Sequence, residues 1–302
     1  MIETRDLYVG YNGSDILHGV SLEIASGEMV GILGPNGSGK TTLINALSGV
    51  LKARRGCVLV NGLTIDSLAV SDLSRQMAVA PQKTEISFPF KCFSITLMGR
   101  SPYVGRWGFY SRDDRRIALE AMSKTHTLGL AERPITNVSG GEAQMVTIAR
   151  ILAQQTDALL LDEATSNLDI CHKMEVFDLL IKINRNGATV ISVMHDLNLA
   201  ALYCNRLIFL KKGEVVLDGP THEVFQQKYL REIYETDVQI SRHPVANCPQ
   251  AHFIPGHISR ITSSDFLDDS ESGFGTYHNR RHGPTDPFGE TSPENHSPVW
   301  RI

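Results

Sequence analysis

Gly34-Pro35-Asn36-Gly37-Ser38-Gly39-Lys40-Thr41 reads G-x-x-x-x-G-K-T, and the residues on either side suit a phosphate-binding loop. Ahead of it runs Met29-Val30-Gly31-Ile32-Leu33, a short apolar stretch that fits a buried strand. After it, Leu43, Ile44, Leu47 and Leu51 recur at helical spacing. A helix N-terminus carries unsatisfied N–H groups and a favourable dipole, so phosphate oxygens gather there. The glycines let the backbone close around an anion without side-chain clashes. Lys40 is placed to reach β- and γ-phosphates, and the Thr41 hydroxyl to ligate Mg²⁺. The expected ligand is therefore a nucleoside triphosphate with its Mg²⁺, held by Gly34, Pro35, Asn36, Gly37, Ser38, Gly39, Lys40, Thr41 and Thr42.

The 302 residues allow one large or two modest domains. An apolar fraction of 42% and a charged fraction of 21% are those of an ordinary globular chain. A net charge of −4 argues against bulk affinity for nucleic acid, so no nucleic-acid partner is expected. No apolar run has the length of a membrane span, and Glu3, Arg5 and Asp6 interrupt any signal peptide. Five scattered cysteines, Cys57, Cys92, Cys171, Cys204 and Cys248, read as reduced thiols of a cytosolic protein.

Residues 1–33 alternate β-prone runs with turns, which predicts an antiparallel edge leading into the phosphate-loop strand. A strand ending at Asn61-Gly62 comes next, and then a short helix and strand finishing at Val79-Ala80-Pro81-Gln82. From about 83 to 155 proline and glycine breaks give way to helical periodicity, which predicts a helical insertion in an α/β core. Its last helix opens at Val138-Ser139-Gly140-Gly141-Glu142, with Met145, Ile148, Ala149 and Leu152 assigned to one face. Ala158-Leu159-Leu160-Leu161 is a doubly covered strand ending in Asp162-Glu163. A helix over 172–184 and a strand over 188–194 come next, the latter stopping at His195-Asp196. Two β-runs meet at Lys211-Lys212-Gly213-Glu214, and Thr221 reads as the N-cap of a further helix. Beyond about 240 the chain holds seven of the thirteen prolines, six of the eleven histidines and no lysine. That composition predicts a flexible extension over 241–302 rather than a metal site, since the histidine spacings are irregular.

Asp162 at a strand end suits a carboxylate that holds Mg²⁺ through water, and Glu163 one that orients or deprotonates an attacking water. His195 and Gln82 end other strands on the same nucleotide edge. Tyr11 offers a ring for stacking on adenine. Ser139-Gly140-Gly141 at a helix start is a second anion nest, which a single nucleotide site does not need.

Taken together, these motifs resemble the ATP-binding subunits of ABC transporters over about residues 1–240. The resemblance takes in the Walker A loop at 34–41, the Q-loop at Gln82, the signature at 138–142 and Walker B at 158–163. It continues through the D-loop Ser166-Asn167-Leu168-Asp169 and the switch His195. It implies an α/β P-loop NTPase core with an antiparallel β edge and a helical subdomain, with Gln82 joining Thr41 and Asp162 at Mg²⁺. It also implies a head-to-tail homodimer in which Ser139, Gly140, Gly141 and Asp169 of one subunit complete the other's site. Leu97-Met98-Gly99-Arg100-Ser101-Pro102-Tyr103 and Met194-His195-Asp196-Leu197-Asn198-Leu199-Ala200 are similar to importers of ferric siderophores, haem and cobalamin. That likeness implies two integral-membrane permease subunits, a substrate-binding protein and a place on the cytoplasmic membrane face. Val138 replaces the usual Leu of the signature, and Ala143 and Met145 stand where arginines are common. A soluble ABC ATPase acting on DNA or ribosomes is the alternative, but such chains carry coiled coils, zinc modules or tandem units absent here.

Overall fold

The computed structural model describes residues 1–82, 86–105, 108–166 and 168–255. In chain order, β1 (Ile2–Tyr11) and β2 (Ser14–Ile24) form a hairpin, and then come β3 (Met29–Leu33), the phosphate loop and α1 (Lys40–Leu47). Next are β4 (Arg55–Val60), β5 (Leu63–Thr64), α2 (Val70–Gln76) and β6 (Met77–Ala80). The insertion carries α3 (Cys92–Leu97), α4 (Arg112–Lys124) and α5 (Gly140–Gln154). Then β7 (Ala158–Asp162), α6 (Ile170–Arg185), β8 (Thr189–Val193) and α7 (Leu197–Tyr203) alternate. β9 (Arg206–Lys211), β10 (Glu214–Pro220), α8 (Thr221–Val224), α9 (Gln227–Tyr234), β11 (Val238–Arg242) and β12 (Pro249–Phe253) complete the described chain.

Two main sheets result. The antiparallel one runs β2-β1-β4-β5, and the larger one β10-β9-β3-β8-β7-β6, parallel except for β10. The period of two along the parallel strands divides the core. Met29 and Leu33 of β3, with Leu159 and Leu161 of β7, pack toward α6 and α7. Val30, Ile32 and Leu160 pack toward α1 and the antiparallel sheet. Both faces are covered, so the parallel strands read as continuous apolar runs. This arrangement puts the ends of β3, β7 and β8 on one edge, where their outgoing loops meet.

The helical insertion has a small core of its own, with Cys92, Ile95, Met122, Val146 and Ala149 in it. α5 is buried on two sides: Met145, Ile148 and Ile151 enter the sheet core, whereas Val146, Ala149 and Ala153 enter the helical one. The expectation of a single apolar face, with Ala149 beside Met145, is thereby corrected. A helix wedged between two cores spreads its apolar positions around the cylinder.

A buried ion pair fastens the insertion. Arg100 Nε donates to Asp114 Oδ1 at 2.9 Å, with side chains 8% and 13% exposed. Ser111 caps α4 in a capping box with the same Asp114. The Ser111 hydroxyl and the Arg100 guanidinium hold the Asp114 carboxyl below the usual carboxylate range. Since its pKa is lower folded than unfolded, its contribution is complete above the ordinary value near ~4 and is lost as the pH falls through the folded value. Asp114→Ala is expected to cost about 3 kcal/mol at neutral pH, because it strands a desolvated guanidinium. In acid titration followed by circular dichroism, that deficit should shrink only below about pH 4.

Two other expectations change. Thr221 is the first helical residue of α8 rather than its N-cap, which is Pro220, and the Thr221 hydroxyl donates instead to the Cys204 carbonyl. Ordered structure also runs past residue 240. β11 and β12 pair antiparallel, and Val238 and Ala251 are buried in the sheet core. Burial at those two positions secures a hairpin that composition alone assigns to a flexible extension. The remainder of that expectation, from 256 onward, lies outside the described residues, as does Asn167.

Candidate functional site

The phosphate loop is shaped by its neighbour β9 as much as by its own glycines. Gly34 takes φ +144°, and a Cβ there would sit 2.0 Å from the Leu210 carbonyl oxygen, so no larger residue fits. Gly39, also at positive φ, is the N-cap of α1 and contributes no side-chain cap. The first N–H groups of α1 thus remain available to an anion. Lys40 is buried, and its Nζ donates to the Gly34 and Pro35 carbonyls at 2.8 and 3.0 Å, arching over the loop. Burial lowers the Lys40 pKa, opposed by the negative charges of Glu163 and Asp162. Ser38 Oγ is buried with no hydrogen-bond partner among the described residues. An orphaned buried hydroxyl in the phosphate loop, beside Gly34, fits a phosphate oxygen. Asn36, Gly37 and Thr42 complete the loop and first turn, with Thr42 buried.

The carboxylates come from the end of β7. Asp162 is buried and accepts from the Thr41 hydroxyl at 3.2 Å. Burial raises its pKa, and the Thr41 bond works against that shift. The Thr41–Asp162 pair is an all-oxygen donor set of the kind Mg²⁺ prefers. Glu163 turns out of the strand with φ +49°, a left-handed conformation that costs a non-glycine residue on the order of 1 kcal/mol. The turn presents its carboxylate to two partners. Gln82 Nε2 donates to Oε2, and His195 Nε2 lies against Oε1 at 2.5 Å. Gln82 arrives from the end of β6 and His195 from the end of β8, which flank β7 in the sheet. Strand order thus converts three distant sequence positions into one clamp.

Tyr11, at the tip of the β1–β2 hairpin, is 44% exposed, and Asn45 Nδ2 of α1 donates to its hydroxyl at 3.5 Å. The ring stands free beside α1, as a stacking platform would.

The signature is elsewhere. Ser139 caps α5 in a capping box with Glu142, and Ser139 and Gly141 line an open cleft with Met145, Asp169 and His172. No phosphate-loop residue lines that cleft. Asp169 caps α6 and pairs with His172 Nδ1 at 2.9 Å. The hydrogen bonds from His172 lower the Asp169 pKa, and that pairing raises the His172 pKa. Gln144 of α5 donates to the Ala164 carbonyl, tying the signature helix to the turn after Glu163. Sequence reasoning missed His172 and Gln144 as site residues. The i,i+3 spacing of Asp169 and His172 at a helix start is the signal that finds the first.

Comparison with known proteins agrees with this geometry. A family model described as "ABC transporter" matches residues 17–166. The hemin import ATP-binding protein of Streptomyces coelicolor is 40% identical over 238 residues, covering 79% of this chain and 84% of that protein. The iron(3+)-hydroxamate import ATP-binding protein of Bacillus subtilis is 36% identical, covering 82% and 93% respectively. Among solved structures, a metal-chelate type ABC transporter in an inward-facing conformation superposes with a TM-score of 0.74 at 24% identity, covering 85% of this chain and 98% of that one. A dimeric ATP-binding cassette bound to ADP and Pi superposes with a TM-score of 0.65 at 28% identity, covering 73% and 98%. On this similarity, extending along most of both partners, the chain belongs to the ABC transporter family as one of its ATP-binding proteins.

Proposed function

We propose that the chain hydrolyses ATP to drive an importer of an iron chelate, a ferric siderophore or haem, from the cytoplasmic face of the cell membrane. The observation that carries the chemistry is Glu163, clamped between Gln82 and His195 beside the Thr41–Asp162 pair. The cargo class rests on the hemin and iron-hydroxamate relatives. Both of those are named for iron-containing cargo, so corrins rank behind iron chelates.

In this reading Tyr11 stacks on adenine while the 34–41 loop and the first turn of α1 hold the phosphates. Thr41 and Gln82 would hold Mg²⁺, Asp162 would reach it through water, and the ion would offset phosphate charge in the transition state. Gln82 uses its amide nitrogen on Glu163, which leaves its Oε1 for the cation. Glu163 orients the attacking water and takes up its proton. His195 fixes the Glu163 carboxylate and reaches the γ-phosphate. Ser139, Gly140, Gly141 and Asp169 serve the nucleotide of a second copy, which accounts for a signature cleft separate from the loop.

The permease partner has a suitable surface. A groove between α1, α2 and α5 is lined by Val50, Val70, Leu73, Met98 and Arg150, with Val50 75% and Val70 82% exposed. No carboxylate lines it. Burial lowers the Arg150 pKa, and its guanidinium has no ion-pair partner among the described residues. An apolar helix bearing an acidic residue, presented by a membrane subunit, complements both features. Among the described residues no helix is long and apolar enough to cross a membrane, so the membrane path falls to such partners. A substrate-binding protein would act through the same permease.

Deleting the gene should abolish uptake of labelled ferric hydroxamate or haem while sparing uptake of unchelated iron. The unmodified gene should restore it and Glu163→Gln should not. Undiminished uptake of both chelates in the deletion strain would contradict the cargo assignment.

A further inference from the structure

His195 has little packing to hold it. Its side chain is 46% exposed, and the contact of its Nε2 with the Glu163 carboxylate is what orients the ring. Its backbone position is inherited from α7, which begins two residues later. Asp196 caps that helix, accepting from the Asn198 and Leu199 N–H groups at 2.9 and 3.0 Å. Asn198, in the first turn, then makes a paired bond to a remote strand. Its Oδ1 accepts from the Ala251 N–H at 2.7 Å, and its Nδ2 donates to the Ala251 carbonyl at 3.2 Å. Ala251 faces Ile240 across β11–β12, and the antiparallel alternation turns its N–H and carbonyl away from β11. The Asn198 amide therefore stands where a neighbouring strand's peptide would. Sequence separation between the two residues is 53, so the bond joins segments remote along the chain that also share a core.

The other side of the hairpin packs on α9. Phe253 meets Tyr234 of α9 edge to face, with centroids 6.1 Å apart. Burial pushes the Tyr234 phenol up to about 12. A single hairpin thus touches both the helix behind His195 and α9.

We propose that the β11–β12 hairpin, through the Asn198–Ala251 pair, positions α7 so that His195 stays on Glu163. Asn198 is then a positioning residue for hydrolysis, acting through His195 and not through nucleotide contact. This role rests on the chain being an ATPase with Glu163 at its centre.

The test is steady-state ATP turnover of the full chain in Asn198→Ala and, separately, Ala251→Pro. The second variant removes the N–H that faces α7, a donor the hairpin ladder does not use, and because its ring also fixes φ at a buried position, an unchanged melting temperature must accompany the turnover measurement. Either change should lower kcat roughly tenfold, as small misplacements of a reacting group do, with KM for ATP within about twofold of the unmodified chain. In a His195→Ala background, Asn198→Ala should change the residual turnover by less than about twofold, because coupled residues are not additive. The same tenfold loss in both backgrounds would overturn the proposal, as would a KM that rises in step with the fall in kcat. So would full turnover in both hairpin variants while His195→Ala is impaired. An unmodified chain that turns over no ATP would instead overturn the underlying reading, and this inference with it.

Discussion

Glu163→Gln is expected to keep ATP binding while losing turnover by about 10²–10⁴-fold, the usual range for a positioned general base. The amide is nearly isosteric with the carboxylate, so Gln82 and His195 keep a partner of the same shape. What disappears is the negative charge and the second acceptor site that orient and deprotonate water. The left-handed backbone at Glu163 supports this prediction, because strain at a strand end persists where a side chain must be aimed. Phosphate release under saturating ATP, alongside binding of a fluorescent ATP analogue, separates the two properties. Near-normal phosphate release would remove Glu163 from the role.

Lys40→Ala should act on binding itself. Lys40 is buried, its pKa is lowered by desolvation, and its ammonium is held at the loop by the Gly34 and Pro35 carbonyls. A cation already stripped of water at the loop that the proposed site gives to the phosphates should carry much of the affinity. Charge-assisted bonds contribute about 1.5–3 kcal/mol each, so a loss on the order of 10²-fold in ATP affinity is expected. Isothermal titration with ATP and Mg²⁺ would read it, and unchanged affinity would contradict the assignment. The two variants should therefore fail differently: one binds without turning over, the other scarcely binds.

Much of this site is legible in the sequence because its motifs are local. The phosphate loop needs glycines, a lysine and a threonine at fixed offsets, and Walker B needs an apolar strand ending in acids. The clamp on Glu163 is legible only as three strand-end residues. Their convergence depends on the order β8-β7-β6, which brings together residues far apart along the chain. The left-handed turn at Glu163 leaves no composition signal, since glutamate is an unusual residue there. The hairpin of β11 and β12 is hidden for a different reason. Only Val238 and Ala251 of it are buried, and its prolines, histidines and exposed polar residues read as an extension without a core. Asn198 stands among the residues of a family motif, but its partner lies in a segment whose composition gives no sign of order. Sequence periodicity finds elements that bury a whole face. It passes over those fastened by two side chains and one amide.

The measurement that bears most directly on the central claim is the mass of Glu163→Gln by light scattering, with and without ATP. Two copies that share each nucleotide should be monomeric alone and dimeric with ATP, because in the proposed dimer the Ser139–Gly141 nest of one copy would close over the phosphates of the other. Ser139→Arg in the same background should remain monomeric with ATP while binding nucleotide normally, since a guanidinium-bearing side chain fills the nest without touching the phosphate loop. A stable ATP-dependent dimer in the Ser139→Arg, Glu163→Gln chain would contradict the shared site and the mechanism built on it.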